Sequence, residues 1–347
     1  MSASTTVHRL NQWVSDRVDD FDGTGLSLAV VARGKVQWSA GWGWANREKH
    51  FPVTPETPFM LGSISKVVTG TAIMQAAEQG RVDLDAPVVW LDPLPHAFTL
   101  RHLASHTSGI LDNPEALEAS YGAGDPEISM EVFLRDYLSQ PEHFSSEGSG
   151  KRESYSNVGI ALAAHVLQEA TAVPLDVWCQ ERIFGPLGMH NTHWFLRGFP
   201  VPEQVAVPYN EKGSPLAHYG YPTWPDGQLR SSAQDMGRFL AAILNGGHLE
   251  GKQILQAETL SHMLTEQFPE VPKKKGQALF WERNRGLIGH MGGDHGVLTA
   301  LYFDPESKVG VVVLTNSSRP EGVLVVQNLL KDLLREGRLT SWLEQAD

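Results

Sequence analysis

The sequence predicts an α+β protein in which one antiparallel sheet is assembled from both ends of the chain around an inserted, mostly helical segment. Three observations carry that prediction. Strand patterns cluster towards both termini, the segments between them repeat with helical periodicity, and the connections between successive strands are too short for the crossovers of a parallel sheet. On this reading residues 1–85 and 266–347 form a discontinuous sheet subdomain, and residues 86–265 a mostly helical one.

The elements follow in order. Leu10, Trp13, Val14 and Val18 lie at helical spacing. Residues 26–32 and 35–40 are apolar, β-branched runs on either side of Arg33 and Gly34, which makes a hairpin. From about residue 63 to about 265 the periodic segments are helical and are separated by Gly/Pro-rich loops such as residues 122–126 and 219–227. Residues 279–281, 286–290, 297–303 and 309–314 read as strands, the last two joined by a turn at 304–308. Pro320 then opens a helix through residue 334, with its fixed φ suited to a first turn.

Composition narrows the function. The 347 residues carry 28 Lys plus Arg against 40 Asp plus Glu, a formal net charge of -12. That balance speaks against nonspecific binding to nucleic acid or to an anionic membrane. A single cysteine, Cys179, supports neither an intramolecular disulfide nor a thiolate metal site, and it is expected to be a buried apolar residue. Residues 1–10 have no basic and apolar leader pattern, and no apolar run is long enough to span a bilayer, so a cytoplasmic protein is expected.

Ser63 stands at the first turn of an apolar helix that ends at Gly80, with Lys66 three residues on and on the same face. A buried ammonium loses hydration. It either becomes a neutral amine that can take a proton or remains a cation that lowers a neighbour's pKa, and either state activates a serine hydroxyl beside it. The alternative is an ordinary helix cap and a lysine that snorkels to water. Tyr155, Ser156 and Asn157 precede a second apolar helix, with Asn157 at a capping position. A phenol near a cation can exchange protons, and the Asn157 amide could hold a substrate carbonyl or orient Lys66; the alternative is a core aromatic and a cap. A third stretch, His290 to Gly296, places paired glycines at a strand, where a ligand can approach the backbone, or forms a Gly-rich turn.

Other combinations are poorer. No Gly-x-Ser-x-Gly elbow is present. His102 with His106, and His190 with His193, have metal-like spacing without carboxylate company, so structural roles are expected. Tyr219, Tyr221, Trp224 and Asp226 either line a pocket or pack their loop.

The stretches around Ser63 and Lys66, residues 81–87, 100–109, 155–157, 186–189, 231–236 and 289–293 together resemble the serine β-lactamase and penicillin-binding protein superfamily. The likeness is to its class C-like branch, which includes family VIII esterases, D-aminopeptidases and amidases. The resemblance implies a β-lactamase/transpeptidase-like fold and acylation of Ser63. It also implies that Lys66 and Tyr155 shuttle the proton, that Asn157, His290 and Gly292 contact substrate, and that the backbone N–H groups of Ser63 and Gly293 form an oxyanion hole. No metal or organic cofactor is implied, and the partner is a small ester, amide or peptide of D-amino-acid type. Where β-lactamases and cell-wall peptidases have Lys-Thr-Gly, this chain has His290, Met291 and Gly292. A mostly neutral histidine weakens the charge that would hold a substrate carboxylate, which places β-lactamase or DD-carboxypeptidase activity second. A noncatalytic binding protein on the same fold is the alternative from another class; Ser63, Lys66 and Tyr155 all being present argues against it.

Overall fold

The computed structural model describes residues 11–12, 14–16, 24–89, 94–272 and 275–338. Of the N-terminal helical pattern, Val14 is buried against the sheet, while Leu10, Trp13 and Val18 lie outside the described residues.

Strands β1 (Leu26–Ala32) and β2 (Lys35–Trp42) form the expected hairpin. Arg33 and Gly34 both take positive φ, 51° and 73°, as a two-residue turn matched to strand twist requires. From the other end come β3 (Gly276–Gln277), β4 (Glu282–Asn284), β5 (Leu287–Asp294), β6 (Val297–Asp304) and β7 (Val309–Thr315). The seven strands pair antiparallel in the order β3-β4-β5-β6-β7-β1-β2, so β7 and β1, from opposite ends of the chain, lie side by side. Leu26 pairs with Thr315 and Val31 with Gly310.

Both faces of the central strands are covered, which is why they read as continuous apolar runs. Leu26, Leu28 and Val30 point to one face, where Val326, Leu329, Leu330 and Leu333 of the C-terminal helix (Pro320–Arg338) pack. Ala29 and Val31 point to the other, against the helix Ala233–Leu244 with Met236, Phe239 and Leu240. That helix falls inside the 86–265 stretch expected to be the insertion. Its apolar face is nevertheless buried on the sheet, so the sheet layer also draws on the middle of the chain.

Residues 279–281 are not a strand. Phe280 takes φ 66°, and its ring lies so close to Gly70 that a side chain at Gly70 would overlap it, so packing on the helix Ser65–Glu78 breaks the extended run. The middle of the chain is not purely helical either. Phe59–Met60 pairs with Arg230–Ser231, and Gly122–Ala123 with Tyr219–Gly220. Cys179, at the end of the helix Leu175–Cys179, is buried and burial pushes its thiol up. Among the described residues no single helix is long and apolar enough to cross a membrane.

Candidate active site

Two apolar helices and one strand converge. Helix α1 (Ser65–Glu78) is buried from Ser65 through Ala76 and is preceded by a short 3-10 turn, Gly62–Ile64, that carries Ser63. Helix α2 (Asn157–Thr171) packs beside it. Strand β5 runs directly past the 3-10 turn. A side chain at Gly292 would meet the Leu61 carbonyl and Thr299 Oγ1 at 2.1 Å. One at Gly62, whose φ is 55°, would meet the Gly293 amide nitrogen at 2.9 Å. Only glycines allow this approach, and Thr299 Oγ1 fastens it by donating to the Leu61 carbonyl at 2.6 Å.

The contact brings the sequence candidates together. Lys66 Nζ donates to Ser63 Oγ at 2.9 Å, and the Tyr155 hydroxyl donates to the same oxygen at 2.8 Å. Lys66 Nζ also lies 4.9 Å from the centre of the Tyr155 ring. The snorkelling alternative fails, since Lys66 is 0% exposed. Its charge is held by a residue that the sequence reading did not connect with it. Lys66 Nζ donates to the Asp226 carbonyl at 2.9 Å and lies 3.7 Å from Asp226 Oδ1. Burial works against the ammonium, but Tyr155, whenever its phenol ionises, and Asp226 outweigh it and hold Lys66 above its ordinary pKa. Lys66 is therefore a cation, the second of the two states open from sequence. Burial likewise raises Tyr155, with Lys66 pulling it back, so the resting pair is ammonium and phenol. Asp226 is pushed up by burial to about 6 despite Lys66, and its Oδ2 has no hydrogen-bond partner.

Asn157 is not the cap of α2. Ser156 is, accepting from the Gly159 N–H, and Asn157 is the first helical residue. Asp112 anchors this corner, accepting from Ser156 Oγ and the Asn157 N–H, both at 2.6 Å. Lys66 is oriented by Asp226; the Asn157 Oδ1 is buried with no partner. His106 backs the phenol, its ring centre 4.4 Å from that of Tyr155 and its Nδ1 accepting from the Ser156 N–H. Burial and Lys66 keep His106 neutral. Neither Asp112 nor His106 was singled out for the site from sequence. Asp112 sits in a stretch that resembles an ordinary cap for the helix Pro114–Glu118, and His106 was noticed only for its spacing from His102. His102 itself does have a structural place, in a capping box with Thr99 and stacked on Phe268.

His290 is 3% exposed, with its ring centre 6.2 Å from that of Tyr155. Its Nδ1 lies 2.6 Å from the Met291 carbonyl and so carries the proton, which leaves Nε2 as an acceptor. Burial lowers its pKa to about 4 even though Glu282 opposes the shift. Beyond Gly293, Asp294 meets Tyr121 together with Tyr219 and Tyr221 of the 219–227 loop.

The profile of the family described as Beta-lactamase matches residues 10–335. The chain belongs to the β-lactamase family. Among curated relatives of this β-lactamase-family chain, the putative penicillin-binding protein PbpX of Bacillus subtilis is 27% identical over 252 residues, covering 70% of this chain and 60% of that protein. Esterase EstB of Burkholderia gladioli is 30% identical over 203 residues, covering 53% of this chain and 50% of the esterase. The chain thus spans only half to three-fifths of these two relatives. The D-amino acid amidase of Ochrobactrum anthropi SV3, solved with L-phenylalanine amide, shares the fold with a TM-score of 0.77 at 22% identity, covering 96% of this chain and 99% of that one.

Proposed function

We propose that this β-lactamase-family chain is a serine hydrolase that cleaves small carboxylic esters, or amides of D-amino-acid type, through an acyl-enzyme on Ser63. The observation that carries the reading is the double hydrogen bond to Ser63 Oγ from Lys66 and Tyr155. In the proposed cycle the Tyr155–Lys66 pair, having lost one proton, takes the proton of Ser63 as its oxygen attacks the carbonyl. The N–H groups of Ser63 and Gly293 receive the oxyanion, the held proton passes to the leaving alcohol or amine, and water then releases the acyl group by the same route. Asn157, His290 and Gly292 line the substrate's path.

A neutral His290 supports esters and uncharged amides over substrates that present a carboxylate, which keeps β-lactamase and DD-carboxypeptidase activity in second place. The esterase and amidase among its relatives are consistent with that order. The test is a panel of a short-chain nitrophenyl ester, a D-alanine anilide and a chromogenic cephalosporin, run on wild type and Ser63→Ala. The ester or the anilide should be turned over, the cephalosporin least, and Ser63→Ala should lose on the order of 10³-fold or more. Because Tyr155 holds its proton at neutral pH, turnover should climb towards alkaline pH. Unchanged hydrolysis by Ser63→Ala would reject the nucleophile.

A further inference from the structure

One residue presents two different groups to Lys66. Asp226 closes the 3-10 turn Trp224–Asp226, which is laid across α1 and α2. Thr69 Oγ1 of α1 fastens that turn by donating to the Pro225 carbonyl at 2.7 Å, and Lys66 Nζ donates to the Asp226 carbonyl at 2.9 Å. Backbone acceptors therefore fix where the ammonium sits. The Asp226 carboxylate is additional. Its Oδ1 lies 3.7 Å from Lys66 Nζ, beyond a good hydrogen bond but within an ion pair, and its Oδ2 is buried without a partner. A carboxylate so placed acts on the ammonium mainly through its field, which a buried setting screens weakly.

The neighbouring groups leave that field largely uncompensated. Lys66 is the cation beside Asp226, while Asp112 at the corner of α2 and Asp294 at the end of β5 add negative charge, and Thr223 of its own loop bonds to it. Tyr121 and Tyr221 are protonated phenols, and His106 and His290 are neutral. His165 of α2 lies with Trp224 in a separate cavity that Asp226 does not line. A lone Lys66 would pull the Tyr155 phenol towards phenolate; Asp226 opposes this and binds the proton more tightly on both members of the pair. Burial pushes Asp226 up to about 6, still below the range in which a phenol or an ammonium ionises, so it is an anion wherever the pair can release a proton.

We infer that Asp226 is a positioning residue with two separable roles: its carbonyl orients Lys66, and its carboxylate, acting through Lys66, delays activation of Ser63 until alkaline pH. This rests on the proposed acyl-enzyme at Ser63, which it deepens by naming the residue that sets its working pH. Before attack, one proton leaves the Tyr155–Lys66 pair for water. Ser63 then gives its own proton to the pair as its oxygen bonds to the carbonyl carbon. The Asp226 carboxylate holds back the first of these steps and exchanges no bond itself.

The test is the pH dependence of kcat/KM for 4-nitrophenyl acetate in wild type, Asp226→Asn and Asp226→Glu. Asparagine keeps the size of the side chain and leaves the carbonyl in place, so Lys66 stays oriented while the charge is lost. The midpoint of the alkaline rise should fall by about one pH unit or more in Asp226→Asn, and Asp226→Glu should return it at least halfway to wild type. Asp226→Ala removes the charge without adding an amide; it should move the midpoint the same way, and it carries the test if Asp226→Asn does not fold. A merely structural role would lower the rate and leave the midpoint in place. An unmoved midpoint, or one moved to higher pH, would overturn the inference. A second measurement separates it from the hydrolase reading. The rate at which a fluorophosphonate labels Ser63, followed by mass spectrometry of the intact protein, reads the same midpoint without turnover. Labelling whose midpoint falls in Asp226→Asn, with no ester or anilide hydrolysed, would sink the hydrolase reading alone. Ester turnover with a fixed midpoint would sink the role of the carboxylate alone, and no labelling at any pH would remove both.

Discussion

Two buried bases flank Tyr155, and the protein treats them in opposite ways. Lys66, fully enclosed, is kept charged beside Asp226, whereas His290, 3% exposed, is kept neutral although Glu282 stands near. The difference lies in where each carboxylate's bonds go. Asp226 offers Lys66 both a carbonyl and a carboxylate oxygen. Glu282 instead shares its charge with Lys275 Nζ and the Tyr302 hydroxyl, both on Oε2 at 2.8 Å, and among the described residues His290 hydrogen-bonds to the Met291 carbonyl and not to Glu282, so the carboxylate does not offset the desolvation of an imidazolium. A nearby opposite charge does not by itself keep a buried base ionised; a partner in direct contact does.

The largest expected effect comes from removing the charged member. Lys66→Gln should lower kcat/KM for the ester by on the order of 10³-fold, the scale of lost general acid–base catalysis, with protein that still folds by circular dichroism. A loss under tenfold would show that Tyr155 works without the cation. The neutral base is tested next, through stability. His290 has a depressed pKa, so the unfolded chain binds more protons between its ordinary value and about 4, and the fold loses stability as pH falls through that window. Between pH 7 and pH 5 this amounts to about 2 kcal/mol. Denaturant titrations should show a pH dependence smaller by that amount in His290→Gln; equal slopes in both proteins would mean that His290 is not held neutral. The smallest effect is a change of specificity. His290→Lys makes the second base cationic, and should raise cephalosporin turnover relative to the neutral ester by about tenfold, equivalent to ~1.4 kcal/mol. A constant ratio would separate substrate charge preference from this position.

Much of the site was legible because it depends on local pattern. Ser63 and Lys66 are three apart in an apolar helix, and a lysine in such a setting is conspicuous whatever surrounds it. Tyr155 and His290 followed from motifs at helix and strand openings. The partners of these residues were not legible. Asp226 is 160 residues from Lys66 along the chain. His106 and Asp112 look like ordinary loop residues until the fold sets them under Tyr155 and at the start of α2. The Leu279–Trp281 run failed as a strand for a related reason: three apolar residues suit either a strand or a packed bend, and Phe280 against Gly70 decides for the bend.

By itself the sequence determined the antiparallel sheet built from both termini, since two-residue and five-residue turns between apolar β-branched runs leave few other pairings. It also determined the identity of the nucleophile candidate and its nearest lysine. Only the tertiary structure decided the protonation states, because a pKa depends on which distant groups desolvate a base and which still have a hydrogen bond to give it. The same holds for Gly293, whose amide reaches the Ser63 turn only when Gly292 and Gly62 let β5 and that turn touch.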